Sequence, residues 1–131
     1  MTLEKYINFP SLVIACACTL FMGGHDIIAH VLLMLMIFDY CTGLLGGFMN
    51  KKLNSRVGFK GIAKKVLILF IVAVAVEINK LLPEVPIRDF IIYFYIANEG
   101  ISILENVCKF IPVPDKMKQY FEQIREGVAH E

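Results

Sequence analysis

Charge is scarce in this chain of 131 residues: charged side chains make up 19% of it, against about 25% in ordinary soluble domains. The 13 basic and 12 acidic residues leave a net charge of +1, so no overall basicity points to nucleic acid as a partner. Hydrophobic residues make up 57% of the chain, and its mean hydropathy is +0.65. This composition excludes a disordered, collagen-like or coiled-coil chain and argues against an ordinary soluble enzyme.

Motifs of catalysis and metal binding are also lacking. The sequence contains no phosphate-binding loop, nucleophile elbow or dinucleotide fingerprint. Its four cysteines lie in apolar surroundings, without the paired spacing of a zinc site. His25 and His30 are not helical i, i+4 partners, so a structural or hydrated role is expected for both. We therefore expect neither an enzyme nor a cofactor, and no internal repeat divides the chain.

The scarce charges leave long apolar runs between them. Residues 27–48 contain Asp39 as their single charge and would form a helix about 33 Å long, enough to cross about 30 Å of hydrocarbon. Residues 62–82 and 90–111 are two further predicted spans, the first with lysines near its ends that can reach the membrane surface. The sequence thus predicts one all-α membrane domain with three transmembrane helices.

The first apolar run, residues 6–22, has two interpretations. The part after Pro10 would be only about 18 Å long as a helix, whereas an earlier start would lengthen it, with a kink at the proline. It is therefore either a fourth span or a re-entrant or interfacial helix, and Gly23-Gly24 offers a tight turn after it. Cleavage as a signal peptide is not expected, because Glu4 and Lys5 cancel in the segment that should be positive.

Basic residues concentrate between the first two firm spans. The segment 51–65 holds six of them and no acidic residue, whereas the segment 77–89 has a net charge of −1. The positive-inside rule places the segment 51–65, and with it the C-terminus, in the cytoplasm. The N-terminus would then lie outside with three spans and inside with four.

The C-terminal segment, residues 115–128, follows Pro112 and Pro114 and predicts a short amphipathic helix. Its apolar side chains recur at helical spacing, at Met117, Tyr120, Phe121, Ile124 and Val128. We expect this tail to lie on the membrane or on its own helix bundle. Binding of a partner protein is the alternative.

Polar residues gather on one face of the predicted span 90–111. At 100° per residue, seven of them share an arc of about 120°: Tyr95, Asn98, Glu99, Ser102, Glu105, Asn106 and Lys109. Lipid cannot satisfy such a face, so it must meet other helices or water. Glu99 and Glu105 are interpreted as pore-lining candidates, because the stripe is wide and no basic stripe on the other spans matches it.

Asp39 shares a helical face with Gly43 and Gly47, a G-x-x-x-G pair of the kind that lets two helix backbones approach closely. This face predicts a helix–helix interface. Lys64 and Lys65 lie a few turns into the partner helix, so an ion pair of Asp39 with either lysine is within reach. Such a pair would either hold the two helices together or contribute a charge to a gate or pore.

Four segments resemble the phage holin family that includes the clostridial toxin-secretion holins. They are DYCTG at 39–43, KKLNSRVGFKGIAKK at 51–65, NEGISILEN at 98–106 and PVPDKMK at 112–118. They occur in the order and spacing of that family and together span about residues 25–125.

The resemblance implies a multi-pass protein of the bacterial host's cytoplasmic membrane. Such proteins accumulate, form homo-oligomers in the lipid bilayer and open lesions at a set time. Endolysin, or in some relatives a large toxin, then leaves the cell without stable contact with the holin, and an antiholin can oppose the process. We expect monomers first to hide their polar faces against each other and larger assemblies to turn the Glu99/Glu105 stripe toward water.

Three other functions stay open at this point. A small proton- or cation-coupled transporter could use Asp39 or Glu99 as its coupling carboxylate, although such carriers are built from repeated halves that this sequence lacks. A holin antagonist would share the fold and delay lysis. A scaffold that only organises other membrane proteins is the third.

Overall fold

The structure is a computed structural model that describes the backbone of residues 3–130 and the side chains of residues 8–127. These residues form five helices and no strand: α1 (Leu3–Met22), α2 (Ile27–Met49), α3 (Ser55–Leu81), α4 (Ile87–Cys108) and α5 (Asp115–His130). The all-helical prediction is confirmed over this part of the chain. The side chains of Glu4, Lys5 and Val128, which entered the sequence predictions, lie outside the described residues.

Local sequence signals explain where the helices begin and turn. Asp26 caps α2 by accepting a hydrogen bond from the Ala29 amide at 3.2 Å, and Asn54 caps α3 by accepting one from the Val57 amide at 2.8 Å. Between α1 and α2, Gly23 and Gly24 have φ angles of 73° and 136°, which side chains disfavour. The predicted glycine turn is therefore present.

Several helix ends differ from the predicted segments, and two of the differences have a local cause. Because Asn54 caps α3, residues 55–65 form its first turns and are not a loop. Helix α4 ends at Cys108, three residues before the predicted end at 111. Pro112 accounts for this, because a proline disfavours helical geometry in the residue before it.

Helix α4 is the centre of the bundle and packs against α2, α3 and α5. The buried core lies where α2, α3 and α4 meet, with Met22 of α1 at its edge; its members are Met22, Ala29, Leu32, Met36, Ile68, Val72, Ile92 and Ile96. Helices α2 and α3 touch each other much less than either touches α4. A cleft consequently runs between them.

Helix α1 joins the bundle only near its C-terminal end. Cys18 and Met22 are buried, and the ring of Phe21 meets that of Phe70 edge-on at a centroid distance of 6.4 Å. Residues 8–17 are all exposed. This mostly apolar stretch of α1 is therefore exposed on every side of the helix.

The outer surface is strongly apolar. Large hydrophobic side chains are exposed along α2 and α3, among them Phe38, Leu45, Phe70 and Val74. Surfaces of this kind are rare on soluble monomers and mark contact with lipid or protein. Among the described residues one helix, Ile27–Met49, is clearly long and apolar enough to cross a membrane, whereas the apolar part of α1, Asn8–Met22, is shorter.

Candidate functional site

Three charged side chains from three helices meet inside the bundle. The ammonium group of Lys65 on α3 donates hydrogen bonds to the carboxylates of Asp39 on α2 and Glu99 on α4. The side chains are 16%, 15% and 8% exposed, respectively. We call Asp39, Lys65 and Glu99 the charged cluster.

Helix geometry brings these residues to one level. Asp39 lies ten residues before the end of α2, Lys65 ten residues after the start of α3, and Glu99 nine residues before the end of α4. Each distance is about 14–15 Å along a helix axis. Because neighbouring helices run in opposite directions, the three residues reach the same depth from the end of the bundle that carries the basic segment.

A neutral side chain of α4, that of Asn106, also donates a hydrogen bond to Asp39. The amide nitrogen of Asn106, two turns beyond Glu99 on α4, lies 3.2 Å from Oδ1 of Asp39 and 3.1 Å from Oγ1 of Thr42. Each buried polar side-chain atom within the described residues has a hydrogen-bond partner. This matters because a charge removed from water costs several kcal/mol unless it is both paired and hydrogen-bonded.

The surroundings of Glu99 differ from the sequence prediction. The carboxylates of α4 were expected to lack a basic match, but Lys65 of α3 contacts Glu99 directly. The polar stripe of α4 is also divided, because Glu99 is buried while Glu105 and Lys109 are exposed. A helical wheel shows which residues share a face, but it does not show that α4 is surrounded by three other helices.

The remaining candidates lie around the charged cluster in different settings. Lys64 is exposed, and of the two lysines it is Lys65 that contacts Asp39. Tyr95, Asn98 and Ser102 are half-buried. Tyr95 and Ser102, together with Lys64, line a cleft that borders the cluster.

The glycines of α2 do not dock as a pair on one helix. A side chain at Gly43 would meet Asn106 of α4 at 3.7 Å, whereas one at Gly47 would meet Leu53 in the turn before α3. Gly46, outside the predicted pair, faces the ring of Phe110 at 3.4 Å. Within one copy of the chain, the predicted G-x-x-x-G interface is therefore replaced by separate contacts with α4 and with a turn.

The sequence analysis allowed the tail to lie on its own bundle, but it did not identify the contact between Gly100 of α4 and Phe121 of α5. The ring of Phe121 occupies the space that a side chain at Gly100 would need, so that even a Cβ atom there would overlap the ring. The amphipathic tail thus lies on its own bundle, one of the two predicted positions. The signals available in the sequence were a glycine in the middle of α4 and an aromatic residue on the apolar side of the tail.

Arg88 forms a second polar centre at the opposite end of the bundle. Its guanidinium donates two hydrogen bonds of 2.9 Å to the carboxylate of Asp26 and a third to the carbonyl oxygen of Met22, the last residue of α1. The hydrogen bonds from Arg88 lower the pKa of the Asp26 carboxyl below its usual range. Arg88 therefore ties the α1–α2 turn to the start of α4.

Comparisons with known proteins identify one family and several similar relatives. Residues 16–126 match the sequence profile of the bacteriophage holin family. An uncharacterised 14.9 kDa protein of Clostridium perfringens is 42% identical over 128 residues, covering 93% of this chain and 97% of the relative. An uncharacterised Listeria innocua protein is 44% identical over 73% of this chain and 70% of its own length.

A relative with a named function comes from Bacillus phage phi105. This "probable holin" is 35% identical over 105 residues, which cover 79% of this chain and 76% of the phage protein. No solved structure matches this chain.

Proposed function

The chain belongs to the bacteriophage holin family, and we propose that it acts as a holin in the bacterial cytoplasmic membrane. In this proposal, copies accumulate, form homo-oligomers and open lesions through which endolysin, or in some settings a large toxin, leaves the cell. Family membership is the observation that carries the proposal. The exposed apolar faces of α2 and α3 support the membrane location.

The arrangement of the helices supports a four-span topology. Helix α1 is 20 residues long, about 30 Å, and it ends beside Val76 of α3 and Arg88 of α4. Helices α1 to α4 then alternate in direction across the membrane. The basic segment 51–65 places both termini in the cytoplasm by the positive-inside rule.

The charged cluster suggests how a harmless monomer becomes a lesion. In one copy, Lys65 satisfies both carboxylates internally, so a single bundle can lie in lipid without presenting them to it. This replaces the expectation that monomers hide these groups against each other. To line an aqueous hole, α3 must separate from α2 and α4, and water then solvates the three charges. The sparse contact between α2 and α3 favours separation along the cleft.

Expression in bacteria tests the proposed function. Membrane potential and culture density are followed after induction, with and without a co-expressed cytoplasmic endolysin. A holin depolarises the membrane suddenly after a delay and causes lysis when endolysin is present. Retained potential and unchanged density would contradict the proposal and favour an antagonist of the same fold or a small cation-coupled transporter.

A matched pair of variants tests the role of the cluster. Glu99→Gln removes a charge from the cluster, whereas Glu105→Gln removes one from an exposed position six residues later on the same helix. At equal protein amounts in the membrane, we expect Glu99→Gln to change the time of lysis and Glu105→Gln to leave it nearly unchanged. Equal lysis times for wild type and both variants would contradict the mechanism while leaving the family assignment intact.

A further inference from the structure

An open cleft lies between the last turns of α2 and the first turns of α3. It encloses about 400 Å³ and is lined on its basic side by Lys60, Lys64 and Lys65. Asp39 is the acidic residue in its lining. We call it the lysine cleft.

The walls of the lysine cleft are fixed by small residues and one tyrosine. The ring of Tyr40 lies against Gly61, where an added Cβ atom would approach it to 3.2 Å, and its hydroxyl donates to the carbonyl oxygen of Gly58 at 3.4 Å. On the α2 side, Gly43 leaves the cleft open, since a Cβ atom there would meet only Asn106 within 4 Å. Two of the residues that line the space, Gly43 on α2 and Gly61 on α3, therefore carry no side chain that would narrow it.

The charge of the lysine cleft is unbalanced. Lys65 is engaged by Asp39 and Glu99, whereas Lys60 and Lys64 form no ion pair with any side chain that the structure describes. They stand four residues apart on α3 and so project to the same side. Two exposed ammonium groups beside a preformed space match a phosphate group.

The surroundings of the cleft distinguish a lipid from a small anion. A second cleft of about 410 Å³ shares Lys64 and Lys65 with the first and continues along α3 past Leu67 and Ile71. A ligand with a phosphate at Lys60 and Lys64 would thus find the apolar side chains of Leu67, Ile68 and Ile71 beside its headgroup, in a cleft whose lining also includes Asp39 and Glu99. An inorganic phosphate ion would make no use of those apolar side chains.

We propose that the lysine cleft binds the headgroup phosphate of an anionic phospholipid, with an acyl chain lying along Leu67 and Ile71. The proposal rests on the membrane orientation given above, in which this end of the bundle faces the cytoplasmic leaflet. Basic pockets between transmembrane helices on this side of membranes are suited to anionic lipids. Lys60 and Lys64 hold the phosphate, and Gly43 provides the room.

Lipid binding can be measured on the purified full-length chain, independently of lysis. Native mass spectrometry from detergent micelles counts phosphatidylglycerol or phosphatidylcholine molecules with identical acyl chains on each protein. The test variant is Lys60→Gln/Lys64→Gln. The control is Lys51→Gln/Lys52→Gln, which removes the same charge from the same basic segment outside the lysine cleft.

We expect wild type to prefer phosphatidylglycerol, and Lys60→Gln/Lys64→Gln to weaken that binding about 25-fold, since each lysine near an anionic headgroup contributes about fivefold. The control variant should lose less than a third of that effect. Gly43→Leu, which keeps every charge but fills the cleft, should weaken binding as strongly as the lysine variant does.

Three results would overturn the proposal. Equal losses in the two lysine variants would mean diffuse attraction to the basic segment. Displacement of the lipid by millimolar inorganic phosphate would mean a small-anion site. Equal binding of the two lipids by wild type would mean that the cleft does not distinguish the anionic headgroup of phosphatidylglycerol from the zwitterionic headgroup of phosphatidylcholine. Since no arm depends on lysis, failure here is separate from failure of the holin assignment.

Discussion

Replacing Lys65 with methionine is the sharpest perturbation that the structure offers. Methionine keeps the length and apolar stem of the side chain but removes the ammonium group that both Asp39 and Glu99 accept. The two carboxylates, on the adjacent helices α2 and α4, then lie close to each other without a cation. Lys64→Met is the matched control, because Lys64 is adjacent in sequence but exposed and outside the cluster.

The expected magnitude follows from burial. With exposed fractions of 16%, 15% and 8%, the cluster is mostly removed from solvent. Removing one partner of a buried ion pair costs about 3–5 kcal/mol, because a charge is left without compensation. An exposed substitution such as Lys64→Met changes the free energy of unfolding by no more than about 0.5 kcal/mol.

The free energy of unfolding can be measured by denaturant titration in mixed micelles, together with the time to lysis in cells. A triple variant, Asp39→Asn/Lys65→Met/Glu99→Gln, separates charge imbalance from loss of packing. Because a neutral replacement of a whole buried ion cluster is often close to neutral in stability, the triple variant should recover most of the loss. In cells, Lys65→Met should shorten the delay before lysis, since α3 then separates more easily.

Two outcomes would refute this reasoning. If Lys65→Met costs less than about 1 kcal/mol, as expected only for exposed ion pairs, the cluster does not hold the bundle together. If the triple variant is as unstable as Lys65→Met, then the cause is the loss of the contacts that the ammonium group makes, and unbalanced charge is not the cause. Protein amount in the membrane must be equal for lysis times to be compared.

Two further predictions concern the contact between α4 and α5 and the turn between α1 and α2. Gly100→Ala should loosen α5, because the added methyl group overlaps the Phe121 ring, and overpacking costs about 1–3 kcal/mol. The measurement is the rate of proteolysis within α5, which should rise. Gly127→Ala is the control, because a Cβ atom there meets no atom within 4 Å. The pKa of Asp26 is lower in the folded state than its ordinary value of 3.8. Its ion pair with Arg88 therefore stabilises the fold fully above pH 3.8, and this stabilisation is lost as the pH falls through the folded-state pKa. Asp26 is half exposed, so the effect is at most about 1 kcal/mol. Asp26→Asn should flatten the pH dependence of thermal unfolding below pH 4, and an unchanged slope would contradict it.

Local signals were sufficient for much of the fold. The bounds of α2 follow from an apolar run that begins after the capping residue Asp26, and the turn before it follows from Gly23-Gly24. These features depend on residues a few positions apart, so the sequence alone contains the necessary information. The start of α3 depends on a local signal too, the capping residue Asn54, whereas the apolar run alone places the start seven residues too late.

Contacts across helices were harder to predict. The sequence predicts a pair of Asp39 with Lys64 or Lys65, because the residues belong to adjacent helices at similar depth. Glu99 lies 34 residues from Lys65, on a helix whose neighbours the sequence does not specify. A helical wheel gives the direction of a side chain but not which helix stands there. The same limit hid the contact of Phe121 with Gly100, which depends on α5 folding back along α4.

Within the part of the chain that the structure describes, the charged cluster also contributes to the lower hydropathy of α3 and α4 compared with α2, the clear candidate span. A helix-by-helix measure counts Lys65 against α3 and Glu99 against α4, each as an unpaired charge that is costly in lipid. In the folded bundle these charges form one hydrogen-bonded group with Asp39. If α3 and α4 cross the membrane as proposed, neither is stable there alone, and each becomes acceptable to lipid only when packed with the other. The same dependence makes separation of α3 costly in lipid and much less costly in water, which is the difference that a timed membrane lesion requires.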